Sequence, residues 1–114
     1  MTLKKYTLLL LAILLNGPFL LGQQERNPVS TIKVTTLSTM VVNGKGVGEW
    51  GYSALVEVDG KKILFDTGAR PETVLENANE MGIDLSDVED VFLSHNHWDH
   101  TGGLLTLRAA LKKS

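Results

Sequence analysis

The chain has 114 residues, 43% of them apolar and 21% charged, with a formal net charge of −2 at neutral pH. That length holds one small domain at most, and its lysines and arginines are scattered instead of gathered into a basic face, which argues against a nucleic-acid partner. There is no cysteine, so disulfides, thiolate metal ligands and a cysteine nucleophile are excluded within this chain.

The N-terminus reads MTLKKYTLLLLAILLNGPFLLGQQERN. Lys4 and Lys5 precede an apolar run from Tyr6 to Leu15; Asn16, Gly17 and Pro18 break it, and Gly22 stands before the polar Gln23. That order is the layout of a secretory signal peptide, so residues 1–22 are expected to direct export to a secreted or periplasmic location. The uninterrupted apolar stretch is shorter than the roughly 20 residues of a membrane span, so the membrane is met only during export; an uncleaved anchor or a buried hairpin of helices is the other reading. Residues 23–30 form a polar linker, and a single domain is expected over 31–114.

TIKVTTLSTMVV is β-branched and alternating, which reads as a strand, and the glycine-rich NGKGVGEWG over 43–51 reads as a loop. In YSALVEVDGKKILFDTG, Asp59-Gly60 is a strong hairpin signal between two arms. Ala54, Val56 and Val58 alternate on the first arm, and Ile63 to Phe65 form an apolar run on the second, suggesting a strand covered on both faces. A helix follows, with Pro71 suited to its first position, Val74, Leu75, Ala78 and Met81 on one stripe, and Gly82 as its stop. Ser86 and Glu89 have capping-box spacing and predict one helical turn. VFLS then reads as a short buried strand, and Leu104 to Lys113 as a final helix with Lys112 and Lys113 in its last turn. Strand, hairpin, helix, strand, loop and helix make an α/β layer architecture.

Every histidine of the chain lies in SHNHWDH, as His95, His97 and His100, with Asp99 among them. His95 and His97 are two apart, so an extended segment points both rings to one side. Asp99 and His100, adjacent after a turn, can address a second ion or the other flank of the first. Imidazole and carboxylate suit zinc, and to a lesser extent iron or manganese. Gly102 and Gly103 let the backbone pass close behind the site, and a loop at the carboxyl end of a strand is where α/β proteins place their chemistry. The opposing reading is a surface loop whose histidines bind nothing.

SHNHWDHTGG resembles the metal-binding signature of the metallo-β-lactamase superfamily, KKILFDTG resembles its strand ending in a fixed Asp, and the stretch between them has the matching helix, turn and strand. The resemblance runs from about Thr31 to Lys113, and EWGYSALVEVDGKKILFDTG with LENANEMGIDLSDVEDVFLSHNHWDHTGG looks most like the branch that includes dihydropterin-ribofuranosyl-aminobenzene-phosphate synthase. Many relatives carry His where this chain has Trp50.

The resemblance implies that His95 and His97 bind a first zinc, that Asp99 and His100 bind a second, and that Asp99 helps position a water for hydrolysis of a small-molecule substrate. It also implies that Asp66 braces the site from behind the ligands; on its own, Asp before Thr-Gly simply makes a turn after a strand. Trp98 and Trp50 either line a substrate pocket or pack beneath their loops.

The implied fold is a four-layer αββα sandwich of about twice this length, of which this chain is the N-terminal half. Two ligands per ion fall short of the three protein ligands usual for a catalytic zinc, so the expectation is an N-terminal fragment that is inactive alone. An apolar sheet face would then lie open, and a homodimer that pools ligands is an alternative. A short non-catalytic metal-binding or interaction module, and a redox or synthase enzyme on the same fold, are the competing functions.

Overall fold

A computed structural model describes residues 27–42 and 44–111. The leader-like segment, part of the linker, and Lys112 and Lys113 lie outside the described residues, so the expectations placed on them are not addressed. Four strands form one sheet in the order β1 (Ile32–Ser38), β2 (Ser53–Val58), β3 (Lys61–Phe65), β4 (Val88–Phe92). β1 to β3 are antiparallel neighbours, whereas β3 and β4 run parallel. A parallel pair needs a crossover, supplied here by helix α1 (Thr73–Glu80); α2 (Trp98–Thr101) and α3 (Leu104–Leu111) follow β4.

The β2–β3 hairpin turns at Asp59 and Gly60, with φ of +48° and +85°. Both central residues being left-handed is what a tight hairpin turn requires, and Asp-Gly supplies it at low cost. The Asp59 carboxylate also accepts hydrogen bonds from the backbone N–H groups of Ser30 and Thr31, which fixes where the chain enters β1. α1 stops as expected at Gly82, φ +65°, but it starts at Thr73, with Pro71 in the preceding turn.

Side chains alternate across the sheet. Leu37, Leu55 and Leu64 point to the face carrying the helices and close a core with Val74, Ala78, Leu85 and Leu107. The paired set Ile32–Val58, Val34–Val56 and Val56–Ile63 lies on the opposite face, where Ile32 and Val34 are exposed and Val56, Val58, Ile63 and Phe65 are half-buried. β3 is therefore covered on one face and not on both. β4 corrects a second expectation: it begins at Val88 and ends at Phe92, and as an edge strand it leaves Phe92 56% exposed. Phe92 stacks on Phe65, which in turn meets Tyr52 edge-on, in an aromatic row on this open side. The helical turn expected from Ser86 and Glu89 does not form. Ser86 bonds the Asp84 carboxylate through its N–H and hydroxyl, a local turn that competes with helix and leads directly into β4.

The glycine-rich loop is held by two buried polar side chains. Asn77 of α1 donates to the carbonyls of Leu37 and Val47 and accepts from the Val47 N–H. Glu49 is buried and accepts four hydrogen bonds: from the Ser38 hydroxyl at 2.6 Å, the N–H groups of Ala69 and Arg70 at 2.9 Å each, and the Thr73 hydroxyl at 2.9 Å. By holding Ala69 and Arg70 in a turn, this carboxylate delays the start of α1 to Thr73.

Burial pushes the Glu49 carboxyl up, but its four donors together outweigh burial and hold it below the ordinary 4.5. A carboxyl depressed in the folded state stabilises the fold above its unfolded pKa and loses that contribution as pH falls through the folded value. Glu49→Gln, which turns an amide N–H₂ toward donors, should lower stability at pH 7 by about 2–3 kcal/mol. Denaturant unfolding of both proteins should show the gap narrowing below pH 4.5; a gap that does not change with pH would refute the assignment.

Candidate metal centre

The site lies where β3 and β4, parallel and adjacent, both end. Asp66 follows β3 directly in a left-handed conformation, φ +55°, which Asp tolerates better than most residues. Its N–H donates to the Phe92 carbonyl at 2.8 Å, extending the β3–β4 pairing by one step. Its side chain is fully buried and turned toward the segment that leaves β4.

Every strong contact of that carboxylate is with this segment. Oδ1 accepts from the Ser94 N–H at 2.7 Å, and Oδ2 lies 2.7 Å from both the Ser94 hydroxyl and Nδ1 of His100. Burial pushes the Asp66 carboxyl up, and the bonds from Ser94 and His100 more than reverse this, so it is held below the usual carboxylate range. It is the ionised acceptor of the cluster, and His100 must then carry its proton on Nδ1. The Ser94 Oγ also lies 2.9 Å from Nδ1 of His95. With its single proton given to Asp66, that oxygen can only accept from His95. In the neutral form of either ring the lone pair then lies on Nε2, away from Asp66.

His95 and His97 lie in the extended stretch after β4, with ring centroids 4.5 Å apart, and His100 lies 4.1 Å from His95. His97 has φ −70° and ψ 146° and stands at the N-cap of α2, so the chain turns helical immediately after it. That single turn brings Asp99 and His100 round to the same locality, with Asp99 Oδ2 3.7 Å from His100 Nε2. The four residues expected as ligands are thus gathered, and Asp66 sits behind them. Among the described residues no three His, Asp or Glu side chains form one closed ligand set; the rings stand against one another and not around a centre.

Trp50 and Trp98 are each 65% exposed, so neither packs beneath its loop. The two glycines after the cluster behave as expected. A Cβ on Gly102 would overlap the Ala69 carbonyl, and one on Gly103 would overlap that of Thr67. Their backbone is docked by Gly102 N–H to the Gly68 carbonyl at 2.8 Å and Thr67 N–H to the His100 carbonyl at 2.8 Å.

Sequence reasoning missed Ser94 and Glu49. A hydroxyl directly before the first histidine was the available signal for Ser94, since it is the one side chain that can reach both its neighbour and the strand alongside. Glu49 gave no local signal, because an acid among glycines reads as solvated.

The imidazoles of His95, His97 and His100 and the carboxylate of Asp99 are donors of the kind that divalent metal ions take. Among the described residues no helix is long and apolar enough to cross a membrane.

Comparison with known proteins bears on this arrangement. Residues 50–114 match the family model described as the metallo-beta-lactamase superfamily. The 7,8-dihydropterin-6-methyl-4-(beta-D-ribofuranosyl)-aminobenzene-5'-phosphate synthase of Methanocaldococcus jannaschii is 36% identical over 91 residues, covering 75% of this chain and 31% of that protein. Ribonuclease Z of Methanopyrus kandleri is 45% identical over 53 residues, 46% of this chain and 18% of its own length. A crystal structure of a metal-dependent hydrolase of the β-lactamase superfamily superposes with a TM-score of 0.55 at 40% identity, covering 66% of this chain and 27% of that one. The chain spans about a third or less of the length of each. A sheet whose adjacent strand ends bring a buried aspartate up behind a histidine cluster, matched in sequence over more than half the chain, places this protein in the metallo-β-lactamase superfamily.

Proposed function

We propose that the chain carries the metal-binding core of an exported hydrolase that cleaves an ester, amide or phosphoester bond of a small molecule, with two zinc ions. The observation that carries this reading is the buried carboxylate of Asp66, which orients His100 directly and His95 through Ser94. A surface loop without a ligand has no need of a buried charge to fix the tautomers of two rings.

His95 and His97 would hold one ion, and Asp99 and His100 the other; further ligands come from protein outside the described residues. Bound divalent ions would supply Lewis acidity, lowering the pKa of water toward about 7 and polarising the oxygen of the scissile group. Asp99, whose Oδ2 lies 3.7 Å from His100 Nε2, would help position the attacking water. Asp66 keeps the His100 proton on Nδ1 throughout. Trp50 and Trp98, exposed on the two segments beside the cluster, offer flat apolar surface to the substrate. The M. jannaschii relative is by name a synthase, which keeps a second chemistry in view; bound iron instead of zinc would favour it.

Replacing both His95 and His97 by Ala should remove one zinc equivalent, read by metal analysis of the purified protein. Unchanged metal content would show the ligand assignment to be wrong. Asp66→Asn, which offers an amide where His100 needs an acceptor, should weaken zinc binding about 10–100-fold against a competing chelator; an unaltered constant would reduce Asp66 to a turn residue. Export is checked by intact mass: the secreted protein should lack residues 1–22, and a retained N-terminus would point to an anchor.

A further inference from the structure

We propose that Glu49 is a positioning residue for the Asp99–His100 pair, acting through two backbone segments that grip it. The inference rests on reading these residues as metal ligands.

The segment Asp99–Gly102 is held from two sides. Residues 67–68 bond it through Thr67 N–H to the His100 carbonyl and through the Gly68 carbonyl to Gly102 N–H. From the other side, Tyr52 N–H donates to the Asp99 carbonyl at 3.1 Å, and Gly51 packs so close that a Cβ there would meet both Asp99 O and Ala69 N. The two gripping segments are also joined to each other, by Gly68 N–H to the Tyr52 carbonyl at 2.9 Å.

Glu49 ties these two segments together. Its backbone leads directly into Gly51 and Tyr52, while its carboxylate holds the N–H groups of Ala69 and Arg70 on the other segment. The Ser38 and Thr73 hydroxyls fasten that carboxylate to the end of β1 and the start of α1. Gly68, at φ +72°, leaves no room for a Cβ beside Glu49 Oε1. Glutamine keeps one acceptor oxygen and sets an amide N–H₂ against the donors at the other, so either the Ala69 or the Arg70 N–H loses its acceptor and the tie between the two segments loosens. His95 is placed by Ser94, which Asp66 holds, and no hydrogen bond from Glu49 reaches Ser94 or Asp66; His97 meets the gripped segment only through its carbonyl, which accepts from the N–H groups of His100 and Thr101 and from the Thr101 hydroxyl. The larger effect therefore falls on the ion held by Asp99 and His100.

The test is a zinc titration of the full chain against a chromophoric chelator, resolving the two stepwise constants, with Asp99→Asn marking the step that belongs to the second ion. Glu49→Gln should weaken that step about 10–100-fold and leave the other within a fewfold. Leu85→Ala removes a buried core side chain at the opposite end of β4 and serves as a matched destabilised control; its two constants should stay at the wild-type values. Should Glu49→Gln fail to fold, Ser38→Ala and Thr73→Ala each remove one fastening of the carboxylate and should weaken the same step severalfold. Unaltered constants in these variants, or equal weakening of both steps, would overturn the inference while sparing the ligand assignment. A wild-type chain that takes up no zinc would overturn both.

Discussion

The burial of one ionised carboxylate at the joint between two parallel strands governs the site. Asp66 cannot remain charged in the interior unless its oxygens are occupied, and the donors that occupy them are the Ser94 N–H, the Ser94 hydroxyl and the His100 ring. Those three come from two points of the segment after β4, so satisfying Asp66 also folds that segment. The parallel pairing of β3 and β4 is a precondition, because only parallel neighbours end on the same side and let the residue after one meet the residues after the other. The geometry of the histidine cluster follows from the electrostatic needs of a residue that stands behind it.

The sheet has a different character on its two sides. Helices seal Leu37, Leu55 and Leu64 on one, while Ile32, Val34 and Phe92 remain exposed on the other. A pattern of alternating apolar residues with only one covered face is unusual for a free-standing monomer. It accords with the partial coverage of the relatives, each of which is much longer than the matched segment.

What could be read from the sequence was whatever depends on near neighbours. The hairpin at Asp59-Gly60, the helix stop at Gly82 and the histidine cluster all follow from a few adjacent residues, and all stand where expected. Errors arose where burial or long-range bonding decides. VFLS is apolar and reads as buried, yet its strand lies at the sheet edge. Ser86 and Glu89 match a helical cap by spacing, but Ser86 is taken by Asp84 two residues back. Glu49 was invisible because its partners lie 11 to 24 positions away, and nothing in a single sequence announces which carboxylate will collect them.

Much of the contact between the histidine segment and the strand-end loop is main chain. Gly51, Gly102 and Gly103 bring backbone against backbone, and N–H to carbonyl bonds cross the contact beside the Thr67 hydroxyl and the Asp66 carboxylate. Side chains such as Ala69, Arg70, Trp50 and Trp98 stand around this contact without composing it. The surface beside the histidines and the packing beneath them are therefore set by different residues, exposed side chains above and glycine backbone below.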